Sequence, residues 1–329
     1  MSNPHVFGAI IIGGGQSGLA TAYYLRRAGV DTLILDDQAA PGGAWRHVWP
    51  SMTLFSTADF SNLPGKPMPT FEGFPPARHV VDYLADYEKR YDFNIQRPVR
   101  VTRVDHHEGL FTVRSPEQSW LARNIVAATG NWSAPFVPAY PGSFAGKQWH
   151  SANYPGAEPF RGQSVAVVGA ANSGAQIAAE LSQVARVTWY TRHEPQWMPD
   201  DVDGRVLFQR NRQRALAILR NEPDPGPDSQ LGDIVMLPHV LQARDAGRLT
   251  ATRMFASLDE VKAEHLIWCT GFRPALGPVR ELLDGRVPTV PGLHLVGYGD
   301  WTGPGSATIT GVGPSAKQAA QEIIAALGG

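Results

Sequence analysis

Continuous apolar runs, rather than alternating ones, recur along this chain, and several of them stop at a glycine. The first is residues 9–12, Ala-Ile-Ile-Ile; a run apolar on both faces marks a buried parallel strand. It leads into Gly13, Gly15 and Gly18. From Gln16 the pattern turns helical, with Leu19, Ala22 and Tyr23 on one face. Arg26 and Arg27 fall in the last turn, where cations complement the helix dipole, and Gly29 suits the stop. Residues 32–35 predict a second buried strand, closed by Asp36. Residues 47–76, rich in proline, serine and aromatics, have no period, and so long an irregular segment inside a compact domain is usually functional. Residues 79–91 predict an amphipathic helix with Val80, Tyr83, Leu84 and Tyr87 on its apolar face. Residues 99–105, 110–114 and 120–122 predict an antiparallel meander, and 125–129 a further buried strand ending at Gly130. The opening pattern then repeats: strand 165–168, a glycine turn from Gly169, helix 176–181, and strand 187–190 ending at Thr191 and Arg192. Residues 206–219 are predicted helical, with Arg205, Arg210, Arg212 and Arg214 mostly on a solvated face. Strands at 266–270 and 293–296 and a closing helix at 315–327, with Ala319, Ile323 and Leu327 at helical spacing, complete the pattern.

The two glycine turns carry the chemistry. In the first, Gly13-x-Gly15-x-x-Gly18 lies between strand and helix, and Asp36 ends the next strand 23 residues after Gly13. This is a dinucleotide fingerprint with its context. Gly13 permits the tight turn, Gly15 lets backbone approach a pyrophosphate, Gly18 lets helix pack on strand, and the acid accepts ribose hydroxyls. In the second, Gly169-Ala170-Ala171-Asn172-Ser173-Gly174 repeats the turn, and Arg192 stands at the same offset of 23 residues. An acid bonds free ribose hydroxyls, whereas arginine accommodates a 2′-phosphate. The first site therefore suits FAD and the second a phosphorylated nicotinamide cofactor, NADPH. Gly42 and Gly43 beside Trp45 suit backbone lying close to a flat cofactor.

Composition narrows the classes. At 329 residues two domains are expected, and 43% apolar with 18% charged residues describes an ordinary globular protein. A net charge of −1 provides no basic field for nucleic acid or an anionic membrane. The N-terminal residues lack a charged n-region and a cleavage site, so no signal peptide is expected. No run approaches the ~18–20 apolar residues of a membrane span. Cys269 is the only cysteine, which excludes an intrachain disulfide, a Cys-x-x-Cys redox pair and a cysteine-based zinc site. The expectation is a cytoplasmic enzyme without a metal.

Between the two units lies Phe144-Ala145-Gly146-Lys147-Gln148-Trp149-His150-Ser151-Ala152-Asn153-Tyr154-Pro155. It matches the Phe-x-Gly-x-x-x-His-x-x-x-(Phe/Tyr)-Pro signature of flavin-containing monooxygenases. With the two glycine turns, the chain resembles the class B flavoprotein monooxygenases over nearly its full length. The stretches GGAWRHVW, HSANYP, HEP, DDVDGRVLF, GDIVM, WCTGFRPAL and GYGDW resemble more closely the small bacterial flavin monooxygenases that oxidise sulfides. The resemblance implies an α/β fold of two dinucleotide-binding, Rossmann-like domains, the NAD(P) domain inserted in the FAD domain: FAD domain 1–156 and 273–329, NAD(P)H domain 157–272. It implies that NADPH, with NADH tolerated, reduces the flavin at N5. Dioxygen then adds at C4a, and the hydroperoxide passes its outer oxygen to a soft nucleophile such as an organic sulfide. The site must stay dry, because water and proton leakage release hydrogen peroxide. By position, Gly13, Gly15, Ser17, Gly18, Asp36, Gly43, Trp45 and Asp300 would hold FAD, with Asp300 on the ribityl chain. Gly169, Asn172, Ser173, Gly174, Arg192 and His193 would meet NADPH. His150 is expected to be a structural hinge residue of the signature.

Three positions depart from the family pattern. Ala171 replaces the middle glycine of the second turn, and its methyl sets the pyrophosphate farther from the backbone. In Ser51-Met52-Thr53-Leu54-Phe55, Phe55 stands near the flavin where eukaryotic-type enzymes carry an asparagine, which bears on the lifetime of the hydroperoxide. Tyr154 stands where Baeyer–Villiger enzymes have tryptophan, and the aspartate of their motif after Trp45 is missing, which favours sulfides over ketones. The rival readings are an NAD(P)H oxidase releasing mainly hydrogen peroxide, a weak Baeyer–Villiger ketone monooxygenase, and a non-catalytic flavin-binding module, for which the second unit is superfluous. A flavin disulfide reductase would need the redox cysteine pair that a lone Cys269 cannot form.

Overall fold

A computed structural model describes residues 5–328. In chain order, β1 (Val6–Phe7) and β2 (Ala9–Ile12) lead into α1 (Gln16–Arg27) and β3 (Thr32–Leu35). After the irregular segment come α2 (Ala77–Tyr91), β4 (Ile95–Gln96), β5 (Arg103–His107), β6 (Leu110–Arg114), β7 (Ser119–Ala122) and β8 (Ile125–Ala127). A second set follows: β9 (Lys147–His150), β10 (Ser164–Val168), α3 (Asn172–Leu181), β11 (Arg186–Thr191), α4 (Gly204–Leu219), α5 (Pro238–Asp245), β12 (Ala251–Arg253) and β13 (His265–Trp268). The hairpin β14 (Leu283–Asp284) and β15 (Val287–Pro288), then β16 (Leu293–Leu295) and α6 (Val312–Ala326), end the chain.

Two five-stranded sheets organise these elements. One has the order β16-β8-β2-β3-β4 and the other β12-β11-β10-β13-β9, and every pairing in both is parallel. The second sheet lies wholly between β8 and β16 in sequence, so one nucleotide-binding unit is inserted in the other. The meander pairs as β1-β7-β6-β5.

The continuous apolar runs have the expected cause. Ala9 and Ile11 of β2 pack with Leu19 and Leu25 of α1 and with Ile323 of α6. Ile10 and Ile12 face the opposite way, into Leu33, Leu35, Phe111 and Val113. A strand covered on both faces has no polar positions to alternate with. No helix among the described residues is long and apolar enough to cross a membrane.

Three expectations need correction. Residues 147–150, placed with the first part at 1–156, form β9 and pair with β13 in the second sheet, so the chain has changed unit before Lys147. The first meander strand begins at Arg103, not at residue 99. The arginines of α4 are not all solvated: Arg205 and Arg212 are exposed, but Arg214 is only 7% accessible. The two-residue β4 went unpredicted, because so short a strand has no period to detect.

The irregular segment is held by side chains of α2. Tyr83, Tyr87 and Tyr91 stand one helical step apart and donate to the carbonyls of Lys66, Pro64 and Gly65 at 2.7, 2.7 and 2.8 Å. Three consecutive carbonyls of a partly exposed turn thereby pair with side chains of one helix.

Candidate functional site

The first glycine turn is shaped by contacts that admit no side chain. Gly13 has φ +110°, and a Cβ there would lie 2.4 Å from the Ala128 carbonyl oxygen. A Cβ on Gly18 would lie 2.0 Å from the Gly13 carbonyl oxygen, so α1 sits directly on the turn. Gly15 is the N-cap of α1 and makes no side-chain cap; space is open within 4 Å of where its Cβ would be. The unpaired N–H groups at the start of a helix therefore face free space, the arrangement that binds an anion. Gly43 comes up against this turn, a Cβ there meeting Gly15 Cα at 2.9 Å. Trp45 follows, its Nε1 donating to Gln16 Oε1 at 2.9 Å.

Asp36 closes β3 but is not the free acid the sequence offers. It is 3% accessible, and Arg97 Nε donates to its Oδ2 at 3.0 Å. Burial raises its pKa above the ordinary carboxylate value, against the opposing pull of Arg97 and of the Gly14 amide.

The loop after β16 completes this site. Gln16 Nε2 donates to the Ala307 carbonyl at 2.8 Å, and a Cβ on Gly297 would lie 2.0 Å from Ser17 Oγ. The 297–300 loop thus rests on the first turn of α1, which brings Asp300 to the same end of the sheet as Gly15. Asp300 keeps a half-exposed side chain. Its Oδ2 accepts from Arg214 Nη1 of α4 at 2.8 Å, and its Oδ1 from the Gly305 amide at 3.3 Å. Arg214 also grips Asp224, at 3.1 and 3.3 Å, so a cation of the second unit is shared between that carboxylate and the one of the first. No sequence pattern pointed to this pair, whose members lie on elements with no shared period.

The second turn repeats the first with one methyl added. Gly169 has φ +135°, a Cβ there would meet the Cys269 carbonyl oxygen at 2.2 Å, and one on Gly174 would meet the Gly169 carbonyl oxygen at 2.0 Å. Ala171 takes the N-cap of α3, again with no side-chain cap. Asn172 Oδ1 accepts from the Val235 amide at 2.8 Å, which ties the turn to the segment before α5. Ser173 lies beside the Cys269 thiol, which burial pushes up to about 12. Cys269 is a core residue under the turn. Arg192 and His193 are exposed after β11, and Arg192 Nη2 donates to the Tyr140 hydroxyl at 3.1 Å. Thr191, the neighbour on the other side, is 5% accessible and belongs to the sheet.

Of the remaining sequence candidates, Phe55 lies where the irregular segment meets α4, and His150 and Tyr154 lie in the second unit. The Phe55 ring packs against Phe208 of α4, centroids 5.9 Å apart, and its carbonyl accepts from the Gly204 amide at 2.7 Å. His150 Nδ1 accepts from the Ala152 amide at 3.0 Å, and Nε2 donates to the Gly271 carbonyl at 3.1 Å. One neutral tautomer satisfies both bonds, and burial lowers the pKa; the residue ties β9 to the strand that leaves the second unit. Tyr154 is buried against Phe160, and its hydroxyl meets Glu180 of α3 at 3.3 Å, where Ser51 also donates at 2.8 Å.

Comparison with known proteins bears on this geometry. The family model described as pyridine nucleotide-disulphide oxidoreductase matches residues 10–285. The flavin-containing monooxygenase from Stenotrophomonas maltophilia is 43% identical in sequence, with 97% of this chain and 98% of that chain covered and a TM-score of 0.85. An uncharacterized CzcO-like oxidoreductase of Geobacillus kaustophilus is 28% identical over 97% of this chain and 99% of its own length. A bacillithiol disulfide reductase from Staphylococcus aureus shares the fold, with a TM-score of 0.72 at 18% identity. The 43% identity to the Stenotrophomonas enzyme over 97% of this chain, with the family model spanning residues 10–285, settles the family: the chain belongs to the flavin monooxygenases of the pyridine nucleotide-disulphide oxidoreductase group.

Proposed function

We propose that this protein is an FAD-dependent monooxygenase of the cytoplasm. It takes electrons from NADPH, tolerates NADH, and transfers one oxygen atom of O2 to a soft nucleophile, turning an organic sulfide into a sulfoxide. The observation that supports it most is the pair of geometrically matched glycine turns, one followed by Asp36 and the other by Arg192. A free adenosine ribose and a 2′-phosphorylated one call for those opposite charges.

The residues fit the two cofactors. The open N-terminus of α1 and Gly13, Gly15, Ser17 and Gly18 would take the FAD pyrophosphate, with Asp36 on the ribose. Gly43 and Trp45 would lie along the nucleotide and Asp300 on the ribityl chain. The N-terminus of α3, with Gly169, Asn172, Ser173 and Gly174, would take the NADPH pyrophosphate, and Arg192 and His193 the 2′-phosphate. The bound flavin supplies the two-electron and oxygen chemistry. The protein orients both nucleotides and keeps water from the reacting centre. Phe55 and Phe208 close the seam between the irregular segment and α4 with apolar surface. The buried Tyr154 supports α3 and β9 from within the core.

The test is a balance of products. The purified protein is reduced anaerobically with NADPH or NADH, then turned over in air with methyl phenyl sulfide while sulfoxide, hydrogen peroxide and NADPH consumption are measured. Sulfoxide accounting for a substantial share of the NADPH supports the proposal. Peroxide accounting for all of it makes the protein an oxidase, and lactone from a cyclic ketone without any sulfoxide overturns the substrate class.

A further inference from the structure

Arg97 belongs to none of the motifs above, yet it reaches the centre of the first nucleotide site. It follows β4 directly. Its Nε and Nη2 both contact Asp36 Oδ2 at 3.0 Å. Its other edge holds Glu88 of α2 bidentately, Nη1 to Oε2 at 2.7 Å and Nη2 to Oε1 at 2.8 Å. Two of the three residues are buried, Asp36 at 3% and Glu88 at 8% accessible, and the Arg97 side chain is largely covered at 13%. They also lie against the glycine turn: a Cβ on Gly14 would meet Arg97 Nη2 and Asp36 Oδ2 at 2.8 Å each.

Stability alone explains this cluster poorly. Desolvating three ions costs several kcal/mol per ion, and apolar residues of similar volume commonly do as well or better. Joining α2 to the sheet would need only the Arg97–Glu88 fork. What the third member adds is control of Asp36: both Arg97 contacts fall on Oδ2, and neither uses Oδ1.

We propose that Arg97, oriented by Glu88, is a positioning residue of the flavin nucleotide site that pins Oδ2 of Asp36 and leaves Oδ1 to accept the adenosine ribose hydroxyls. The proposal rests on the reading that the first glycine turn holds FAD. Two carboxylates around one guanidinium leave the cluster negative, so the same device rejects a 2′-phosphate on that ribose and keeps the two nucleotides in their own sites. The groups that set the charge on Asp36 are Arg97, Asp37 and the amides of Gly14 and Gln38.

The test uses full-length apoprotein, with FAD affinity read from quenching of flavin fluorescence. ADP and 2′-deoxy-ADP serve as competitors against FAD, and the melting temperature of each apoprotein is recorded. Arg97→Met should weaken FAD by about tenfold to a hundredfold, the range for one charge-assisted hydrogen bond. It should also erase the native preference for ADP over 2′-deoxy-ADP. Arg97→Lys should recover part of both, and Glu88→Gln should show a smaller loss in the same direction. A lowered melting temperature with unchanged FAD affinity and unchanged ADP preference would make the cluster a structural tie and overturn the proposal. Should Arg97→Met not fold, an unaltered preference in both Arg97→Lys and Glu88→Gln overturns it equally. Native apoprotein that binds neither FAD nor ADP removes the reading of the first turn itself, and the proposal with it, whereas native binding with insensitive variants removes only the role of Arg97.

Discussion

Gly297→Ala tests whether the loop carrying Asp300 is seated on the first turn of α1. Two costs can be worked from the geometry. Gly297 has φ +92°, and holding a residue with a Cβ in left-handed space costs roughly 1–2 kcal/mol. The added methyl would also lie 2.0 Å from Ser17 Oγ and 2.7 Å from Ser17 Cβ, overpacking of a kind that costs about 1–3 kcal/mol. Together these remove roughly 2–5 kcal/mol. At about 1.5 °C per kcal/mol for a chain of 329 residues, the melting temperature falls by ~3–7 °C, and flavin is lost on dilution because Asp300 is displaced. Ser17→Gly removes both clashing atoms at a cost of about 1 kcal/mol for a helical glycine. The double variant should lose the clash and keep only the backbone strain, a coupling of about 1–3 kcal/mol in the mutant cycle. The assay is thermal unfolding of the four proteins, with flavin content after gel filtration. Native-like melting and full flavin in Gly297→Ala, or additive effects in the cycle, would refute the seating.

Arg192→Gln should raise the Michaelis constant for NADPH by about tenfold to a hundredfold and leave NADH nearly untouched; flavin reduction across a concentration series checks this, and equal losses for both cofactors would remove Arg192 from the 2′-phosphate. Phe55→Asn, which places an amide at the seam with α4, should shift the ratio of sulfoxide to hydrogen peroxide, and an unmoved ratio with unmoved flavin reduction sets Phe55 apart from the reacting centre. Burial holds His150, His239, His265 and His294 below the ordinary imidazole pKa, so on acidification the unfolded chain takes up protons first. Stability should therefore decline as pH falls below about 6.5; melting curves from pH 7.5 to 5 measure it, and His150→Asn, which keeps a donor and an acceptor, should flatten the decline.

The sequence by itself determined the features whose causes are local. A strand buried on both faces must read as an unbroken apolar run, and a turn pressed against a neighbouring carbonyl must carry glycine, as Gly13 and Gly169 do. The two units, their order and the lone buried cysteine were legible for that reason. Only the tertiary structure decided what meets across the chain. Arg214 reads as one more arginine on a helix face, and its burial against Asp300 depends on a loop 86 positions away. Asp36 reads as a free acid, and its pairing depends on Arg97, 61 positions on. The 147–150 stretch is too short and mixed to declare its sheet, and joins the second one because β13 offers it an edge. Periodicity and turn chemistry record what a residue's immediate neighbours demand. Ion pairs and strand partners are chosen by the packing of whole units, on which a single position's residue type carries almost no information.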